Sequence, residues 1–106
     1  MIRILGCDKE TVREFESGSL EEARQLPVIW VDLAKPTEDE LRLLQEKFQL
    51  HPLAVEDALH RGQRPKAEDY DEHLFTVLHT LRSQDGKVVW DEIFIFTSER
   101  WLITIH

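Results

Sequence analysis

Leu50-His51-Pro52-Leu53-Ala54-Val55-Glu56-Asp57-Ala58-Leu59 runs straight into His60-Arg61-Gly62-Gln63-Arg64-Pro65-Lys66. Proline suits the first turn of a helix, where its missing N–H would have no partner and its fixed φ is already helical. Pro52 therefore predicts a helix start, with Leu50 or His51 at the boundary. Leu53, Val55, Ala58 and Leu59 supply an apolar side through about Leu59. Gly62 predicts the end, because glycine reaches the left-handed conformation that closes a helix. Two adjacent carboxylates, Glu56 and Asp57, sit in the body of this helix, and a basic loop marked by Gly62 and Pro65 leads away from it. Neighbouring helical positions do not face the same way, whereas positions three or four apart do. Glu56 and Asp57 must therefore look to different partners.

Upstream of this stretch, Thr37 with Glu40 forms a capping-box pattern, and Leu41, Leu44 and Phe48 recur at helical spacing, which predicts a helix over Thr37 to Phe48. Before it, Val28-Ile29-Trp30-Val31-Asp32-Leu33 is a continuous β-rich run, the pattern of a strand covered on both faces. Ser19 with Glu22 is a second capping-box pattern and predicts a short helix from Leu20 to Leu26, stopped by Pro27. Ile2–Leu5 and Thr11–Phe15 read as two strands joined by a turn at Gly6 to Glu10. Downstream, the period changes from 3.6 to 2. Ala67–Tyr70 reads as a short strand, and Leu74–Leu81 and Val88–Thr97 as a hairpin around Asp85-Gly86. Trp101–Ile105 reads as a last strand after a turn at Ser98 to Arg100. Helices alternate with strands in the first half and an antiparallel meander fills the second, so the chain is α/β.

Composition narrows the function. The 106 residues suffice for one domain. The 21 acidic residues outnumber 13 basic ones, for a net charge of −8, so the chain lacks the overall basic footprint of a nucleic-acid binder. One cysteine, Cys7, permits no internal disulfide. No apolar run approaches the roughly 20 residues that span a bilayer. The glycines are scattered rather than gathered in a phosphate loop, and no nucleophile elbow or His-Glu-x-x-His pattern occurs. An enzyme is not the expectation. His73 and His79 share a strand face with Phe75 and Val77, which suits hydrogen-bonded packing, and the three tryptophans spread over three strands suit packing too. The acidic run Glu68 to Glu72 lacks the spacing of a calcium loop and reads as a charged edge strand.

Two readings of Glu56 and Asp57 stay open on these grounds. One is a solvated acidic face, with Glu56 pairing His60 or Arg61 at helical spacing. The other is part of a metal site that takes further oxygens from another element or another subunit. Hard cations such as Mg2+ allow that arrangement, since they retain several waters.

The stretch from Leu50 to Leu59 followed by Gln63-Arg64-Pro65-Lys66 resembles the signature of the N-terminal cytoplasmic domain of CorA-like divalent cation transporters. Trp30-Val31-Asp32-Leu33 before Pro36-Thr37, the strand Leu74–Leu78 and the closing Leu102-Ile103-Thr104-Ile105-His106 agree with that pattern. The resemblance covers Val28 to His106. It implies an α/β/α sandwich with a mixed, largely antiparallel sheet flanked by helices. Residues 1–106 would be the N-terminal domain of one subunit of a homopentameric channel. A stalk helix and two transmembrane helices would lie downstream, and the ending directly after a strand at His106 suits a piece of a longer protein. The full-length protein would sit in the inner membrane, with this domain on the cytoplasmic side. By resemblance, Asp57 is the principal and Glu56 the secondary ligand of a regulatory Mg2+ site between protomers, with Co2+ or Ni2+ as further cargo left open. The partner carboxylate would come from a neighbouring subunit's stalk, so these residues alone should hold Mg2+ weakly or not at all. A zinc transporter of the same architecture and a stand-alone interaction domain are the alternatives.

Overall fold

The structure, a computed structural model, describes residues 1–106. Seven strands form one sheet: β1 (Ile2–Cys7), β2 (Val12–Phe15), β3 (Val28–Leu33), β4 (Lys66–Asp69), β5 (Leu74–Gln84), β6 (Lys87–Thr97) and β7 (Trp101–Ile105). Their spatial order is β2-β1-β3-β7-β6-β5-β4. Every neighbouring pair is antiparallel except β3 and β7, which run parallel with Val31 opposite Ile103. The sheet is thus mixed and largely antiparallel, as expected. Three helices, α1 (Leu20–Ala23), α2 (Glu38–Phe48) and α3 (Pro52–Leu59), complete an α/β fold.

One apolar cluster holds the molecule together. Ile4, Val31, Ile103, Phe96, Phe75 and Val77 project from successive strands to one face of the sheet. Leu20, Leu41, Leu44, Phe48, Ala54 and Val55 meet them from the helices. All three helices therefore lie on the same face. Of the three layers that the resemblance implies, these residues build the sheet and one helical layer. The expectation that Val28–Leu33 is covered on both faces is corrected accordingly. Burial alternates along β3, with Ile29, Val31 and Leu33 buried and Val28 and Trp30 exposed.

Local chemistry explains the element boundaries. The Thr37–Glu40 capping box forms with both reciprocal bonds, at 3.1 and 2.9 Å. The Ser19–Glu22 box does not form. Ser17–Ser19 take a 3-10 turn in which Ser19 N–H donates to the Glu16 carbonyl, so α1 is only one turn long. Gly6, expected in a turn, lies within β1, where a Cβ would come within 2.5 Å of Leu26 Cδ1. The turn follows instead at Asp8, whose carboxylate accepts from the Glu10 and Thr11 N–H groups. Asp85 and Gly86 both have positive φ, 53° and 75°, which is what a two-residue hairpin matching the strand twist demands. β4 starts at Lys66, one residue earlier than expected. That places Lys66 and Glu68 opposite Val77 and Phe75, on the helical side of the sheet.

Candidate functional site

α3 is fixed at both ends by groups from elsewhere in the chain. At its start, His51 Nδ1 accepts from the Leu53 N–H at 3.1 Å, and Pro52 occupies the first turn. The His51 backbone N–H donates to His73 Nε2 at 3.0 Å. His51 also stacks on Tyr70, ring centroids 4.2 Å apart. Ala54 and Val55 are fully buried and press the helix onto the core. At the other end, α3 stops at Leu59 with His60 extended, so Gly62 does not cap the helix but turns the loop beyond it, at φ 93°. The Gly62 N–H donates to Oε1 of buried Glu92 at 2.6 Å, and His79 Nε2 meets the Gln63 carbonyl at 2.8 Å. His73 and His79 thus have the hydrogen-bonded packing roles that their strand face suggested.

This frame sends Glu56 and Asp57 in different directions, as helical geometry requires. Glu56 Oε1 receives Arg42 Nη2 from α2 at 2.7 Å. That guanidinium holds the Glu56 carboxyl below the ordinary carboxylate range. His60 lies farther off, at 4.0 Å from Glu56 Oε2. Asp57 Oδ2 receives Lys66 Nζ from β4 at 2.6 Å. The same ammonium reaches Glu68 Oε1 at 2.5 Å, and Glu68 Oε2 accepts from Tyr70 Oη at 2.7 Å. Asp57, and then Glu68, raise the Lys66 ammonium above its usual value, and Lys66 in turn lowers Glu68. Burial, followed by the hydrogen bond to Glu68, pushes the Tyr70 phenol up to about 12.

Glu56 and Asp57 are therefore held by different partners. Each carboxylate has its own cation from the same chain. No group of three or more His, Cys, Asp or Glu side chains converges within the chain so as to hold a metal. What does converge is a pair of hard carboxylate oxygens, from Asp57 and Glu68, on a single positive charge. The result is an ion-paired network completed within the chain by Tyr70 Oη on Glu68. Sequence reasoning missed Arg42, Glu68 and Tyr70. Arg42 lies 14 residues from Glu56 on another helix, a spacing with no local signal. Glu68 carried a signal in its alternation with Lys66, which places both on one side of a strand.

Comparison with known proteins agrees with this architecture. The family described as CorA-like Mg2+ transporter protein matches residues 27–106. YfjQ of Bacillus subtilis strain 168 is 39% identical over 77 residues, which are 73% of this chain and 24% of that protein. The magnesium transporter ALR2 of Saccharomyces cerevisiae is 29% identical over 83 residues, 76% of this chain and 10% of that one. The chain thus spans a quarter or less of the length of these relatives. The CorA magnesium transporter structure from Methanocaldococcus jannaschii superimposes over 100% of this chain and 32% of its own, with a TM-score of 0.77 at 17% identity. The soluble domain of CorA from the same organism gives a TM-score of 0.74 at 19% identity over 100% of this chain and 40% of its own, so the fold is shared. No helix of the chain is long and apolar enough to cross a membrane, and what these residues form is the fold of that soluble domain. With the family match spanning most of its length, the chain belongs to the CorA-like Mg2+ transporter family.

Proposed function

We propose that this chain is the regulatory region, on the cytoplasmic side, of a divalent metal ion transporter, and that Asp57, seconded by Glu56, is its contribution to a Mg2+ site between neighbouring subunits of a pentamer. The supporting observation is the placement of Asp57. Its carboxylate is part-exposed on a short helix pinned at both ends, and it already holds one cationic group. Adjacent carboxylates that diverge cannot easily close around one ion, so each would need further oxygens from water, another element or another subunit, and the resemblance favours the neighbouring subunit. A bound divalent cation supplies two positive charges to a contact that is otherwise acidic on this side. Asp57 and Glu56 would then join subunits in its presence and repel acidic neighbours in its absence. Because binding favours only the state in which Asp57 meets its partner, the cation biases the assembly toward the closed arrangement, and depletion releases it. Net charge of −8 on each chain works in the same direction.

The test is Asp57→Ala in the full-length transporter. The expected outcome is that closure requires about ten times more Mg2+ or is lost, with transport itself retained. Closure at an unchanged Mg2+ concentration would remove Asp57 from the site.

A further inference from the structure

β5 and β6 run on past the rest of the sheet. β4 pairs with β5 only from Leu74 to Val77, and β7 pairs with β6 only from Phe94 to Thr97. From Leu78 and Ile93 out to Gln84 and Lys87, the hairpin is therefore a two-stranded arm. Side chains alternate between the faces of a strand, so His79, Leu81, Glu92, Trp90 and Val88 continue the face on which Val77 and Phe94 are buried. The loop after α3 covers the first of these pairs. Gly62 N–H donates to Glu92 Oε1, and His79 Nε2 meets the Gln63 carbonyl. Cover ends there. Leu81 and Trp90 stand directly opposite one another, Val88 follows on the same side, and they are 74%, 53% and 75% exposed. An isolated two-stranded ribbon is at best marginally stable in water, so the arm gains from a partner on this apolar face.

Charge says which partner fits. Arg61 and Arg64 bracket the covering residues Gly62 and Gln63, and neither enters an ion pair. The chain as a whole carries −8. At the opposite end of the same hairpin, Asp69, Asp71, Glu72 and Glu99 line one open hollow of about 680 Å3, and they too are without ion pairs. We propose that the Leu81, Trp90 and Val88 face of the arm docks on a second copy of this chain, with Arg61 and Arg64 as a cationic rim that meets the copy's acidic end. The inference rests on the reading of the chain as one subunit of a homo-oligomer. Joining one end to a different surface of the next copy is a heterologous contact, the kind that closes a ring. A buried aromatic anchor beside arginines is also the composition that contributes most at such contacts.

The test places the photoreactive residue p-benzoylphenylalanine at position 90 of the full-length transporter, and separately at position 88. After irradiation, the products are resolved by denaturing electrophoresis. Links between two chains are expected at both positions. Arg61→Glu combined with Arg64→Glu is expected to cut their yield about fivefold. Links confined within one chain would mean that another segment of the same subunit covers the arm. Links to lipid, or none, would mean that no part of this chain does. Either result overturns the proposal. So does a yield between chains that ignores the two reversed arginines, since charge would then not choose the partner. If links join chains while Asp57→Ala leaves Mg2+-dependent closure unchanged, the arm contact stands and the Asp57 assignment falls. If Asp57→Ala shifts closure but the arm links only within its own chain, the reverse holds.

Discussion

The two faces of the sheet are built from alternate residues of the same strands, and they differ in almost every physical respect. On the helical face, Phe75, Phe96 and Val31 are 0% exposed and pack against three helices. On the other, Trp30 is 42%, Leu78 43% and Leu74 46% exposed, among threonines and part-buried isoleucines. The strand sequences alone do not announce the difference, since β-branched and aromatic residues occur on both sides. Coverage decides it. The helical face carries the free energy of folding, because apolar area contributes when water is removed from it. It also carries the site, since α3 takes its position from Ala54 and Val55 on that face.

The largest test of this contrast is Phe96→Ala, which should cost about 3–5 kcal/mol and leave little folded protein, as read by the urea midpoint. A loss under about 1 kcal/mol would mean that the helical face is not the one holding the fold. A smaller effect is expected from acid. Burial, then the nearby His51, lowers the His73 pKa, and His73 accepts the His51 N–H in its neutral form. A proton is then bound more readily by the unfolded chain, whose histidines titrate near 6.5. The His73 contribution is fully present above that value and declines as pH falls below it toward the lowered folded value. Urea midpoints at about pH 7.5 and about pH 5.5 should show a drop that shrinks in His73→Gln. An equal drop in both proteins would disconnect His73 from it. The smallest effect belongs to the open face. Leu78→Thr should shift stability by no more than about 0.5 kcal/mol, and a loss comparable to that of Phe96→Ala would erase the distinction between the faces.

How much of this could be read from the sequence depends on how far the deciding partner lies along the chain. Thr37 and Glu40 meet within one turn, and Asp85-Gly86 needs only its own backbone, so both were legible. The Ser19–Glu22 pattern failed because Glu16 to Ser19 already spend their hydrogen bonds on a tighter turn, a competition that a four-residue motif cannot reveal. The alternation of β3 was hidden because a second covering layer would produce the same apolar run. At the site, helix geometry correctly sent Glu56 and Asp57 apart. Their partners could not be derived, since Arg42 comes from another helix and Lys66 depends on which face of β4 it occupies. His51 is one of two residues expected at the helix boundary, but its backbone bond to His73, 22 residues away, carries no local signal.

The parallel pairing of β3 with β7 has a consequence for how the protein is made. β3 forms its far edge with the last strand, and Trp30 and Asp32 find their side-chain partners in Thr104, residues separated by more than 70 positions. On the ribosome, β1, β2 and β3 emerge early with that edge open, and it stays open until Trp101–Ile105 clears the exit tunnel. During that interval Val28 to Leu33 presents unpaired backbone and apolar side chains to any other nascent strand. Both seams that β7 makes, with β3 and with β6, therefore have to wait for the last strand. The window for misassembly is set by the time taken to translate the residues between β3 and β7.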